Sequence, residues 1–355
     1  MGDPGTNAAD HDAESDCTIC GAGKYSSSGS SSCTSCGAGK YLDDPGTNAA
    51  AHDAESDCTD CGAGRYLSDT GSTASAHDAE ADCTICGAGT YTSSSGSSSC
   101  TSCGAGKYLD DPGSTATAHD AESDCAICGV GTYTSSTGST SCTSCGAGKY
   151  LDDPGSNAAA HDAEFDCSVC IAGTYSSTAG ATLCTICGAG KYLSDDGISA
   201  AAHDEEADCT VCGAGKYLDD PGTLTTAHDG EADCTVCKTG KYLSDDGISA
   251  AAHDSEADCT VCEAGTYSDS FGSASCITCG IGKYLSDAGI SASAHDKEYD
   301  CSVCPAGRYN AYDASQASHH DELSDCTVCS SGRYNAEGPN SASAHDSADD
   351  CVSCR

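Results

Sequence analysis

Large apolar side chains stand singly along this chain, at fixed offsets from cysteine. A typical stretch is Cys33-Thr34-Ser35-Cys36-Gly37-Ala38-Gly39-Lys40-Tyr41-Leu42, where one Tyr and one Leu are followed at once by polar residues. There are no long apolar strands or helices to assemble, so the pattern predicts strands of two or three residues around each Tyr. The Leu-Asp-Asp-Pro-Gly and Leu-Ser-Asp-Asp-Gly stretches that follow read as β-turns. The run Ala200-Ala201-Ala202-His203-Asp204-Glu205-Glu206 reads as a short helix of a turn or two with Ser199 as its cap. The rest is expected to be irregular backbone.

The single positions belong to a repeat. All 32 cysteines fall into 16 Cys-x-x-Cys pairs, and 15 of these are followed by Gly three residues on and by Tyr two residues later. The series runs from Gly23 and Tyr25 to Gly332 and Tyr334. Two spacer lengths separate the pairs. Five spacers have 12 or 13 intervening residues and are rich in Ser, Thr and Gly, as in Cys86–Cys100. Ten have 21 and end in His-Asp-x-Glu-x-Asp-Cys or a close variant, as in His52 to Cys58. Residues 1–16 copy the second half of a long spacer and are expected to be a partial repeat, with the tandem array over 17–354. In such arrays each repeat is expected to contact its immediate neighbours alone.

Composition says what must hold the repeats. With no Trp, two Phe and one Met, a sizeable apolar core is out of reach. Small secreted domains compensate for a small core with disulfides. The formal net charge of −41 argues against nucleic acid and anionic membrane surfaces as partners. No apolar run approaches the length of a membrane span, and the polar, acidic residues 1–16 do not read as a signal peptide. A secreted protein of this kind is therefore expected to continue beyond this chain.

Cys-x-x-Cys pairs serve redox chemistry, zinc or disulfides. A redox dithiol needs one reactive pair in a thioredoxin-like setting, which the chain does not offer. Paired Cys-x-x-Cys knuckles make four-thiolate zinc sites, and an intracellular multi-zinc protein is the alternative reading. Pairwise sites call for two spacers in alternation, whereas the long and short spacers follow no such order. A linkage from the second Cys of each pair to the first Cys of the next fits any order. It predicts Cys20–Cys33, Cys36–Cys58, Cys61–Cys83, Cys86–Cys100, Cys103–Cys125, Cys128–Cys142, Cys145–Cys167 and Cys170–Cys184. It continues with Cys187–Cys209, Cys212–Cys234, Cys237–Cys259, Cys262–Cys276, Cys279–Cys301, Cys304–Cys326 and Cys329–Cys351, leaving Cys17 and Cys354 over. Closing a loop of about 15 residues is worth roughly 3 kcal/mol in the chain-entropy model.

The short modules, such as Cys128-Gly129-Val130-Gly131-Thr132-Tyr133-Thr134-Ser135-Ser136-Thr137-Gly138 running on to Ser141-Cys142, resemble the ephrin-receptor-like cysteine-rich repeat. That repeat sits within the wider growth-factor-receptor and TNF-receptor cysteine-rich class. The resemblance extends from Cys17 to Cys354. It implies an extended, rod-like, disulfide-laddered ectodomain of an extracellular or cell-surface protein, in which each module closes its loop onto the next pair. Two features depart from the family: only Pro305 follows a second Cys, and the long spacers are acidic. Nothing resembles a kinase or an ephrin-binding domain.

The remaining candidates are few. The recurrent Gly is expected to adopt positive φ or to approach a disulfide closely, and the Tyr to cover its module's bridge. Gly39-Lys40 fails as a phosphate loop, because Thr34 and Tyr41 stand where Gly and Ser/Thr are required. Asp43, Asp44, Asp53, Glu55 and Asp57 gather five carboxylates in one spacer and are candidate calcium ligands, without the EF-hand spacing. The 12 His read as part of solvated acidic loops, protonating near pH 6.5 and taking the formal charge from −41 to −29. No nucleophile, base and orienting acid come together, and there is no Asn-x-Ser/Thr sequon. The reading is a non-catalytic array of about 15 one-disulfide modules acting as spacer, adhesion or ligand-binding segment. Its partner would be an extracellular protein or glycan. No cofactor is expected, calcium excepted, and an acidic calcium-binding repeat protein is a second alternative.

Overall fold

The computed structural model describes residues 17–355, so the partial repeat expected over 1–16 lies outside the described residues. Fifteen consecutive modules follow, each closed by one disulfide and each built on one antiparallel hairpin of two-residue strands. The described chain falls into two compact units. One runs to residue 146 with 150–168 and 179–183, and the other comprises 147–149, 169–178 and 184–355. Both are built by the same rules.

The module of Cys103–Cys125 shows why the chain folds this way. After Cys103 the backbone reverses in a tight turn, Lys107 N–H donating to the Gly104 carbonyl at 3.2 Å. Gly106 occupies the third turn position at φ +76°, where a side chain would be strained. The turn launches strand Lys107–Tyr108, which pairs with Ala126–Ile127 just beyond Cys125. Between the strands, the long loop makes two 3-10 turns, Ala116–Ala118 and Glu122–Asp124. The same division replaces the single short helix expected over Ala200–Glu206. There the turns are Ala200–Ala202 and Glu206–Asp208, and Ser199 makes no side-chain cap. His203, at φ −140°, breaks the helix because its ring is drawn inward.

Burial is concentrated at the bridges. Cys103, Leu109 and Cys125 form a small apolar cluster, and the ring packed on it is Tyr91 of the preceding module. Tyr25, Tyr41, Tyr133, Tyr175 and Tyr192 likewise pack on the bridge after their own. The tyrosine therefore covers the following module's disulfide rather than its own. Backbone hydrogen bonds reinforce this step: Gly89 N–H donates to the Leu109 carbonyl at 2.7 Å, and Thr92 N–H to the His119 carbonyl at 2.8 Å.

Contacts also reach the next module but one, beyond the nearest-neighbour expectation. A Cβ built on Gly64 would lie 2.1 Å from the Ala116 carbonyl oxygen, two modules along, and Gly64 itself sits at φ +80°. The recurrent glycine is thus required twice, for the turn and for this approach. Gly64→Ala should cost roughly 1–2 kcal/mol from the left-handed backbone alone, with the carbonyl overlap added. Gly62→Ala, with open space around its Cβ, should be nearly neutral. Amide hydrogen exchange checks both: protection should fall at Gly64 and around Ala116 in the first variant and stay unchanged in the second.

Candidate functional site

The acidic motif of the long loops resolves into distinct structural roles. In His119-Asp120-Ala121-Glu122-Ser123-Asp124-Cys125, the Asp124 carboxylate accepts the Ala121 N–H at 2.9 Å and fixes the second 3-10 turn. Glu122 pairs with Lys107 at 2.7 Å across the hairpin. The lysine's hydrogen bond, and then its charge, hold the Glu122 carboxyl below its ordinary value.

The histidine is the residue that sequence reasoning misplaced. His119 is fully buried, as are His77, His161, His203, His228, His253, His295, His320 and His345. Its Nδ1 lies 2.7 Å from the Thr90 carbonyl of the preceding module, and its Nε2 lies 2.9 Å from Asp111 Oδ1. A carbonyl and an ionised carboxylate are both acceptors, so only the doubly protonated ring donates to both. The aspartate is held in turn by its own loop, Oδ1 accepting from Gly113 N–H at 2.8 Å and Ser114 N–H at 2.9 Å. The His119 ring, the Ser114 amide and hydroxyl, and the Gly113 amide push the Asp111 carboxyl well below its ordinary range. His52 with Asp44, His77 with Asp69, His203 with Asp195 and His295 with Asp287 repeat this geometry.

Two modules solve the same problem differently. Tyr312 and Glu337 stand where the others have the aspartate, eight residues before the histidine. His320 Nε2 instead meets the Asp313 carbonyl at 3.0 Å, and His345 Nε2 the Gly338 carbonyl at 3.3 Å. In these modules alone Leu is replaced by Asn310 and Asn335, whose amide nitrogens lie 3.3 Å from the histidine Nδ1. The same Nδ1 still faces a carbonyl of the preceding module at 2.9 Å, that of Lys283 for His320 and of Arg308 for His345, so each ring sits between two backbone carbonyls. The Leu-to-Asn departures thus accompany loss of the carboxylate in the same two modules.

Of the five calcium candidates, the structure places Asp44 on His52 and Asp57 on the backbone N–H groups of Asp53 and Ala54. Glu55 lies 3.7 Å from Lys40, while Asp43 and Asp53 face solvent. Among the described residues, the triads of acidic side chains within 4.8 Å of one another are Asp204, Glu205, Asp208 and Asp321, Glu322, Asp325. None of the five candidates belongs to either. The thiols that zinc knuckles require are joined in disulfides, from Cys20–Cys33 through Cys145–Cys167 to Cys329–Cys351, and among the described residues only Cys17 and Cys354 are free. The short loops replace the histidine by hydroxyls: Thr92 is buried, its Oγ1 lying 2.7 Å from Ser97 Oγ.

A chain of one-disulfide hairpins, each covered by its neighbour, defines a cysteine-rich repeat array. Three stretches, residues 73–119, 116–161 and 250–296, match the family model described as tyrosine-protein kinase ephrin type A/B receptor-like. They are ephrin-receptor-like cysteine-rich repeats, a non-catalytic module. Each match runs from the small-residue turn before one buried histidine to the next such histidine, with a short loop between. No curated protein matches the chain.

The buried junction makes stability depend on pH with a definite sign. Burial is the largest influence on His52 and opposes its charge. The Lys24 carbonyl and the Asp44 and Asp57 carboxylates outweigh it, leaving the His52 pKa raised. Its contribution is therefore fully present below about pH 6.5, the unfolded histidine value, and is lost as pH rises through the raised folded value. Asp44 is depressed by the His52 ring and the Gly46 amide. Its contribution is present above the ordinary 3.8 and lost as pH falls through the depressed value. Exchange protection of Ser26 N–H, which donates to the His52 carbonyl at 2.8 Å, should peak between those limits and decline on the alkaline side. Asp44→Asn, whose amide can donate to a neutral ring, should flatten the alkaline decline. Protection in the native chain that ignores pH across this range would contradict the assignment.

Proposed function

We propose that the chain is a stretch of an extracellular or cell-surface protein, serving as a non-catalytic spacer and binding scaffold. The observation that carries this reading is the use of thirty cysteines in fifteen bridges, which among them supply most of the buried apolar mass. Such bridges persist where the surroundings are oxidising and are reduced in the cytosol. The family match supports the same class. No described helix is long and apolar enough to cross a membrane. Among the described residues, the buried histidines are already satisfied by backbone and carboxylate, as His119 is by the Thr90 carbonyl and Asp111. The acidic exterior favours a basic partner over another copy of the chain, since like charges repel across about 10 Å at 0.1 M salt.

Intact mass of protein made through the secretory route tests this. Full reduction should add two hydrogens per bridge, about 30 Da over fifteen bridges, and metal analysis should find no stoichiometric zinc. Free thiols together with bound zinc would overturn the reading in favour of an intracellular metal-binding array.

A further inference from the structure

The repeat supplies its own control for finding specialised positions, because each groove can be compared with its counterparts. Beside one hairpin lies a groove lined by Lys107, Ser123, Ile127 and Gly155. The counterpart in the second unit, about 520 Å³, is lined by Lys283, Tyr284, Tyr299, Val303, Pro305 and Pro339. Tyr299 stands where the other long loops have a smaller residue or Phe165, as at Ser56, Ala81 and Ser123. Pro305 is the one proline that follows a Cys-x-x-Cys pair, and Pro339 takes the place of the turn glycine seen at Gly155. Three departures from the repeat, spread over forty residues of sequence, thus meet in one groove.

We propose that this groove binds a proline-rich peptide segment flanked by basic residues. Proline-rich chains dock in grooves walled by aromatic rings, because the polyproline helix is preformed and asks for few hydrogen bonds. The groove presents Tyr299, 79% exposed, and the half-buried Tyr284 ring. Both are held in place. Tyr284 is in the hairpin opposite Ser302, and Tyr299 sits in the 3-10 turn Glu298–Asp300, where the Asp300 carboxylate accepts the Lys297 N–H at 2.8 Å. Pro339 follows the Gly338 carbonyl that His345 Nε2 meets at 3.3 Å. Lys283 is paired with Glu298 at 2.8 Å, which leaves few free donors of the kind a sugar's hydroxyls need. Charge complementarity selects the flanks: Asp296, Glu298 and Asp300 neighbour Tyr299 in sequence, Glu298 reaches the lining residue Lys283, and the chain carries a formal charge of −41.

The proposal builds on the scaffold reading, and the two fail separately. The test is fluorescence anisotropy of a dye-labelled oligoproline with arginine at each end, titrated with the whole oxidised chain. Binding should saturate and weaken as salt rises. Tyr299→Ser and Pro339→Gly each restore the residue of the counterpart groove, and each should weaken binding at least about tenfold. Intact mass should confirm that both variants keep their bridges. An oligoproline with glutamate ends should bind far more weakly. Absent saturation, equal binding by the variants, equal binding of the glutamate-ended peptide, or capture of a neutral oligosaccharide in its place would each overturn the groove assignment. Those results would leave the scaffold standing, whereas free thiols would refute the scaffold itself.

Discussion

Each disulfide in this chain is both crosslink and core. The bridging sulfurs of Cys103 and Cys125, with Leu109, are the apolar mass around which one module closes, and Tyr91 of the previous module completes the cover. Burying one tyrosine and one leucine is worth a few kcal/mol at about 25 cal/mol per Å². Ordering more than twenty residues costs far more than that. The bridge offsets part of that cost by restricting the unfolded chain, and backbone hydrogen bonds between modules, such as Gly89 N–H to the Leu109 carbonyl, add to that offset. Because the cover comes from a neighbour, a module is complete only within a series.

The histidine follows from the same constraint. A module with so small an apolar interior still has backbone carbonyls turned inward at its junction, and each needs a donor. The long loop sends in a histidine, which joins the carbonyl of Thr90 to the carboxylate of Asp111 in the case of His119. Short loops fill the equivalent space with a hydroxyl pair such as Thr92 and Ser97. Two loop lengths can therefore succeed each other in any order, because both present a compatible face to the module before them.

Much of this was legible in the residues. The repeat, the module count, the positive-φ glycine and the two-residue strands all follow from local spacing, which a turn or a short hairpin reads directly. The partner of each tyrosine was not legible, because the offset of Tyr91 from Cys86 says nothing about how one module sits on the next. His119 was misread as solvated surface because carboxylates surround it in sequence. The available signal was the constant interval of eight residues between Asp44 and His52, Asp111 and His119, or Asp195 and His203. That interval lapses where Asn310 and Asn335 replace leucine. Proximity of Tyr299 to Pro339 depends on the stacking of modules and has no local signature.

If a module is completed by its neighbour, removing one bridge must loosen the module before it. In the paired Cys103→Ser, Cys125→Ser chain, residue-resolved hydrogen exchange should show lost protection within 103–125. It should also show the loss at Gly89 and Thr92, whose N–H groups donate to the Leu109 and His119 carbonyls, with the module of Cys36–Cys58 unaffected. Full protection at Gly89 and Thr92 in that variant would show that modules stand alone and would contradict the account.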